Sequence, residues 1–482
     1  MKAVVVKALR ANTNAKKESI LMNSGLHGIK HFLWYFRFGD PYAAYIYDTL
    51  HSDDLGKWGH HIWPLVLNEL EKLQQKGPLT ANMRGFPRWP NLKHFNAVTT
   101  VRFTDGQSFY DILKVFIYNL ILRRCSFKIV AVYPPLLFPA NDPLIHCIRA
   151  DQRFRIMVGM TCMPEGRLQQ LEKFIKDYER RCSSVTNKYE KSFDFFKQHS
   201  VNHVVQDIRA RGTTNHASTR PGEGFQQEAR EAYQQTNGKN VAPQMNHIDE
   251  IQEAVARIRM AIDAHDHGLL AEPDENVDET PVEPETDDHW TFGAPVAGGA
   301  LNSKAMDRIQ PGSRAYANFD FRLRSFLAET YPEEHVAYEA AIMVRRFKCA
   351  HIAYQSREDW RGARDIIRCN PRFHSEERYD SLIVNRTEPG LHFARAYALL
   401  RCTLPSGRKV DLALTRMFRQ SRWKPKTLWD GCRIRDEEKE FSFLSMEYVV
   451  RGALMAPVFS SKQPDTFYFV DIVDADMFLR AN

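Results

Sequence analysis

The sequence predicts an α+β protein. A mostly helical region, residues 14–268, is joined through an acidic disordered linker, 269–295, to a β-rich region, 300–482, built as a small antiparallel barrel or sandwich. Three observations predict this. Up to about residue 268 the apolar residues recur at helical spacing. Ala271 to Asp288 reads AEPDENVDETPVEPETDD, acidic and Pro-bearing, with too little apolar surface to offset chain entropy. Past residue 340, short β-branched and aromatic runs are separated by turn residues, the pattern of an antiparallel sheet. At 482 residues the chain also exceeds one ordinary domain.

Taken in order, Asn14 to Trp34 reads as a helix pair or helix-turn, with Ile20, Leu21, Leu26, Ile29, Phe32 and Leu33 at helical spacing in pieces. Tyr42 to Tyr47 is a short apolar run with the length of a buried strand. Ile62 to Gln75 is an amphipathic helix stopped by Gly77-Pro78. Asp105-Gly106 is a turn that launches a helix from Phe109 to Cys125, apolar nearly all round and therefore buried. Asp142 to Met160 is a second core helix, and Pro164-Glu165 opens a charged one that runs to about Lys191. Further helices run from Glu223 to about Gln235 and from Asn246 to His267, the last on Ile248, Ile251, Val255, Ile258 and Ile262. In the β-rich region Ala315 to Thr330 is helical. Strands are expected at 342–344, 381–384, 393–404, 410–418, 442–448 and 467–472, with a hairpin turn at Leu404-Pro405-Ser406-Gly407.

The net charge of +7 is compatible with nucleic acid without requiring it. The eight cysteines are scattered and none forms C-x-x-C, so neither a zinc ribbon nor a disulfide framework is signalled. No run of about eighteen apolar residues is present, so no membrane span is expected. The N-terminal stretch is short and basic, without the apolar core and cleavage site of a signal peptide.

The residues that invite chemistry lie in two places. In the first, Asp40 and Asp48 bracket the apolar run, and His51 follows Asp48 at D-x-x-H spacing, with Asp53, Asp54, His60 and His61 after it. An Asp closing a strand, with a His one turn into the next element, could hold a divalent metal. The same letters also read as a strand followed by a helix capped by Asp48 or Ser52. In the second, Glu223 opens a helix, where the dipole favours a carboxylate whether or not it does chemistry. Two further stretches carry charge. Arg416 to Lys426 (RMFRQSRWKPK) interleaves cations with aromatics, which suits phosphate contact and base stacking through Arg419, Arg422, Trp423, Lys424 and Lys426, or equally an exposed hairpin loop. Asp471, Asp474 and Asp476 read as turn and cap residues.

Several motifs in order resemble the Plavaka family of fungal transposases, relatives of CACTA-type DNA transposons. They are Asp40-Pro41-Tyr42, Tyr47-Asp48-Thr49-Leu50-His51, Gly56-Lys57-Trp58-Gly59-His60-His61-Ile62-Trp63-Pro64, Phe103-Thr104-Asp105-Gly106, Lys197 with His199 and His203, and Arg220-Pro221 with Glu223. Thr236-Asn237, Val241-Ala242-Pro243-Gln244, Arg368-Cys369-Asn370-Pro371, Arg451-Gly452-Ala453-Leu454 and Phe469 to Arg480 continue the series. The likeness covers nearly the whole chain and corresponds to the C-terminal portion of a larger enzyme. One position departs from it: the family's His three residues after the Glu is Gln226, which can hydrogen-bond but cannot act as an acid or base near neutral pH.

The resemblance implies a partial RNase H-like core of DDE type, with a helical block inserted between its second and third acids. It implies Mg²⁺ chemistry on DNA, with Asp40 or Asp48 as the second carboxylate, His51 as its partner and Glu223 as the third. It places metal on Asp48 and Glu223, DNA contact on Lys197 and Arg220, and a supporting role on His199 and His203. DNA, self-association and a nuclear location follow as expected partners and place. The first carboxylate is expected upstream of Asp40, so the chain alone is expected to be inactive or very weak. Two other readings compete. One is a non-catalytic DNA- or chromatin-binding protein, marked by salt-dependent affinity without metal dependence. The other is a hydrolase on His51, His60, His61, His199 and His203, which would prefer Zn²⁺.

Overall fold

The computed structural model describes residues 2–22, 26–99, 106–120, 138, 141–266, 288–309, 313–373, 376–420, 433–459 and 465–482. The chain is α+β, with helices from Lys2 to Asp266 and strands from Trp290 onward. Trp63–Lys72, Gly106–Leu120, Pro143–Val158, Glu165–Tyr189, Arg220–Gln234 and Val241–Asp266 are helices where the apolar spacing predicts them. Asp142 caps its helix, accepting from Leu144 N–H at 2.9 Å, with Pro143 in the first turn. The far end of the next helix returns to the same carboxylate, through Lys188 Nζ at 2.6 Å and the Tyr189 hydroxyl at 2.8 Å.

The apolar run Tyr42 to Tyr47 does not form a strand, and among the described residues no strand precedes Trp290. The described residues ahead of Trp290 therefore hold no sheet of the kind expected there for an RNase H-like core. Pro41–Ala44 is instead a single helical turn, closed by Ala44 N–H on the Asp40 carbonyl at 2.9 Å. Tyr47 is fully buried in the helical core and its hydroxyl donates to Asp53 at 2.5 Å. A strand with no neighbour leaves its backbone unpaired, whereas helical turns satisfy it locally.

The element that follows is unusual. Leu50–Ile62 is a π-helix, the winding in which an N–H reaches the carbonyl five residues back, as that of Trp63 reaches Trp58 at its end. Two glycines allow this winding. A methyl group on Gly56 would sit 2.3 Å from the His51 carbonyl oxygen and 2.6 Å from Cδ of Lys197, and one on Gly59 would sit 3.0 Å from the Asp54 oxygen. Gly56→Ala is accordingly expected to destabilise the fold by about 1–3 kcal/mol, the usual cost of overpacking. Urea unfolding measures it, and an unchanged midpoint would mean that the π-winding does not depend on Gly56.

Among the described residues every strand pair is antiparallel. The larger sheet curls into a half-barrel, in the order Val449–Ala453, Ser381–Val384, His392–Thr403, Lys409–Gln420, Arg433–Glu437, Thr466–Phe469, Met455–Pro457. Its long hairpin turns where expected, with Gly407 at φ +87° and its N–H on the Leu404 carbonyl. A smaller sheet pairs Trp290–Phe292, Cys349–Gln355, Gly362–Phe373 and Glu376–Tyr379. This moves the end of the expected linker. Residues 267–287 lie outside the described residues, but Trp290–Phe292 is a strand, in register with Ile352, His351 and Ala350, and Phe292 is fully buried. Aromatic and β-branched residues at 290–292 outweigh the acidic run before them.

The helical and β-rich regions are not separate cores. One apolar cluster runs from Trp58, Trp63, Phe116 and Phe154 to Phe393, Phe418, Tyr468, Phe469 and Phe478. Buried charges cross the same boundary. Arg149 reaches Asp471 at 2.7 Å, and the Tyr118 hydroxyl donates to the other oxygen of Asp471 at 2.8 Å. Within the β-rich region, Arg451, almost completely buried, gathers Asp365, Asp474 and Asp476 at 2.7–2.9 Å. Asp474 also caps the last helix through Met477 N–H at 2.7 Å. The three late aspartates are thus cap and ion-pair residues.

Candidate functional site

The start of the π-helix and the start of the Arg220–Gln234 helix meet, and this brings Asp48, His51 and Glu223 together. Asp48 caps the π-helix, accepting from the backbone N–H groups of Leu50 (3.3 Å) and His51 (3.2 Å). That fixes its carboxylate beside the imidazole one turn on: Oδ2 lies 2.6 Å from His51 Nδ1. The other ring nitrogen, Nε2, lies 2.7 Å from Glu223 Oε1. Thr219 closes the group, donating to Asp48 Oδ2 at 2.8 Å with its oxygen 3.1 Å from His51 Nδ1. The cap reading and the site reading of Asp48 therefore hold at once. Burial works to raise the Asp48 carboxyl, but the bonds from His51, Thr219 and the two backbone groups hold it below its ordinary value. The Asp48 side chain is 12% exposed, His51 45% and Glu223 39%, so the imidazole and the outer acid face solvent.

Beneath this lies a buried charge layer, of which the sequence pattern pointed to Asp53, Asp54 and Arg220 but not to Lys57, Asp151 or Arg155. Asp54, fully buried, is gripped by Arg155 through Nε at 2.7 Å and a terminal nitrogen at 3.0 Å, and is also bonded by Arg220. Arg220 additionally bonds Gln107 Oε1 at 2.9 Å. The residue expected to contact DNA thus anchors the helix start that carries Thr219 and Glu223. Burial raises the Asp54 carboxyl, opposed by Arg155 and Arg220. Next to it, Lys57 is completely buried between Asp53 (2.8 Å) and Asp151 (3.3 Å), with its ammonium 4.1 Å from the Phe154 ring centre and 4.6 Å from that of Tyr178. Burial pushes Asp151 up to about 6 in spite of Lys57. An Asp and a Lys four apart, Asp53 and Lys57, is a pairing pattern visible in sequence. The partners Asp151 and Arg155 come from a helix far along the chain and leave no local signal.

The remaining candidates are spread out. Asp40 is exposed, eight residues ahead of Asp48, where its carbonyl starts a helical turn. The Lys197 side chain lies across Gly56, one turn from His51. His199 and His203 face each other with their Nε2 atoms 3.2 Å apart. His61 stacks on Phe195 at 3.7 Å and lies 3.1 Å from Lys191 Nζ; burial and that cation lower its pKa. Gln226 is exposed on the helix of Glu223. Arg419 is exposed near the end of its strand, while Arg422, Trp423, Lys424 and Lys426 lie outside the described residues.

Mg²⁺ takes hard oxygen ligands at near-octahedral positions. Asp48 and Glu223 have that chemistry, but the imidazole of His51 stands between them and bonds both. Among the described residues no group of three or more His, Cys, Asp or Glu side chains is placed to hold a metal ion. As arranged, these residues do not fit the implied Mg²⁺ site. They form an acid–imidazole–acid chain that can share protons between an inner and an outer carboxylate. No family model, curated protein or solved structure matches this chain.

Proposed function

We propose that this chain derives from a Plavaka-type DNA transposase with an RNase H-like ancestor, whose reaction was metal-dependent cleavage and transfer of DNA strands, and that the chain alone does not turn over. What supports the ancestry is the meeting of Asp48, His51 and Glu223. They come from two motifs far apart in the sequence and converge on one exposed spot. What supports silence is the position of His51: its ring fills the space between the two carboxylates that would have to share a cation. The same observation favours a second reading, a non-catalytic DNA- or chromatin-binding protein in the nucleus that keeps the ancestral surface.

A nicking and strand-transfer assay with Mg²⁺ or Mn²⁺ tests this. The expected result is no product. Product that disappears in Glu223→Gln would overturn the silent reading and restore an active site. DNA affinity that falls steeply with salt and ignores metal is expected on the second reading. Absence of any DNA affinity would overturn both.

A further inference from the structure

The helices Pro143–Val158 and Glu165–Tyr189 pack against each other, and where they touch a cysteine of one meets a cysteine of the other. The Sγ atoms of Cys147 and Cys182 are 3.8 Å apart. Both residues belong to the shared apolar core, Cys147 fully buried and Cys182 4% exposed. A lone buried cysteine behaves as a small apolar residue, but two thiols that face each other from separate helices form a dithiol. A disulfide holds its sulfurs at about 2.05 Å, so the remaining ~1.8 Å is closed by side-chain rotation and a small shift of one helix. Other cysteines are placed differently. The Cys369 thiol is directed at the Ala396 carbonyl at 3.3 Å, and Cys162 lies half-buried between the two helices in sequence. Cys147 and Cys182 stand 35 positions apart, so no local signal pairs them and the fold does.

We propose that Cys147 and Cys182 are a site of reversible oxidation, forming a disulfide by exchange with a low-molecular-weight disulfide such as oxidised glutathione. One thiolate attacks the glutathione disulfide, breaks its S–S bond and releases the first glutathione thiol. The other thiolate attacks the mixed disulfide, forms the bond between Cys147 and Cys182 and releases the second. The two protein sulfurs lose two electrons, the glutathione sulfurs gain them, and the two thiol protons end on glutathione. Burial sets the rate. The hydrogen bond with Cys182 and burial push the Cys147 thiol well above its ordinary value, against the nearby Lys57 ammonium. The closed dithiol is therefore inert, and exchange proceeds when the helix Glu165–Tyr189 lifts from its neighbour. Geometry sets the equilibrium, since a cross-link between positions 35 apart restricts the unfolded chain and so stabilises the fold. The bond also bears on the candidate site. Cys147 is one helical turn from Asp151 and two from Arg155, the partners of Lys57 and Asp54. Oxidation thus ties down the helix that holds the charge layer beneath Asp48, His51 and Glu223. This inference does not rest on the transposase reading.

The experiment is equilibration of the full chain with oxidised glutathione at mildly alkaline pH, in urea kept below the unfolding midpoint so that the helices part transiently. The remaining thiols are then alkylated and the peptides mapped by mass. The expected result is a peptide pair joined through Cys147 and Cys182 and released by dithiothreitol. The oxidised chain is expected to unfold at higher urea than the reduced one, and Cys147→Ala and Cys182→Ala are each expected to lose that increase. The mapping is done on the parent chain, so it decides the pairing even if either substitution disturbs the core. Cys147 and Cys182 both recovered alkylated, either one ending as a mixed disulfide with glutathione or joined to another cysteine, or a cross-linked chain that unfolds at lower urea would overturn the inference.

Discussion

Arg149→Met is expected to destabilise the protein by about 3–5 kcal/mol, the range for removing one partner of a buried ion pair. Arg149 is 1% exposed and Asp471 is fully buried. The loss of the guanidinium leaves an ionised carboxylate inside the shared core with the Tyr118 hydroxyl as its remaining side-chain partner. The cost comes from that stranded charge rather than from the strength of the pair. Arg149→Met combined with Asp471→Asn is therefore expected to recover most of the loss. The variant also tests the architecture. Arg149 lies on a helix of the first region and Asp471 near the end of the chain. If both regions unfold around one core, far-UV circular dichroism, dominated by helix, and hydrogen exchange of the strand amides of the β-rich region shift together in urea. Two separated transitions, only one of them moved, would show that the regions unfold independently and that the shared cluster adds little cooperativity.

How much of this was legible follows from the range of each signal. The amphipathic helices and the long hairpin of His392–Thr403 and Lys409–Gln420 were readable because their periodicity is local. Gly362–Phe373 was not, since Asn370-Pro371 inside it reads as a turn, yet the strand continues through with a register shift beyond Asn370. The run Tyr42–Tyr47 misled because a short apolar stretch looks the same whether its neighbours are strands or helices. Nothing in the letters announces a π-helix, although the glycines at 56 and 59 are what its winding requires. At the candidate site, D-x-x-H spacing and a helix start left Asp48 and Glu223 open between cap and site residues, and it was the resemblance that joined them with His51. Thr219 and the anchoring of Arg220 on Asp54 depend on how two distant helix ends meet. The cation assigned to DNA there is occupied by an acid that only the tertiary fold supplies.

The second large effect is a pH dependence of stability set by Asp151. Its carboxyl is raised from 3.8 to about 6, because burial penalises the charge more than Lys57 relieves it. A raised carboxyl binds its proton more tightly in the folded chain than in the unfolded one. Between pH 3.8 and about 6 the folded state therefore holds a proton that the unfolded state has released. Stability from this group falls as pH rises through that window and is level above it, the reverse of an acid stabilised by a salt bridge. At ~1.4 kcal/mol for each tenfold change in proton affinity, the span amounts to about 3 kcal/mol. Other acids, Asp48 and Asp476 among them, are held low and impose the opposite slope, so the net curve hides the effect. The comparison with Asp151→Asn isolates it, since Asn cannot ionise and Lys57 keeps Asp53. Urea unfolding of both proteins from pH 4 to 7 is expected to show the variant gaining on the parent by about that amount, with most of the gain below pH 6. Parallel curves would mean that Asp151 titrates as it does in the unfolded chain. A gain of the parent over the variant would mean that attraction to Lys57 outweighs burial. In that case the layer beneath Asp48 and Glu223 would stabilise the fold through its charges, and the site above it would rest on a favourable ion pair rather than on one held in place by packing.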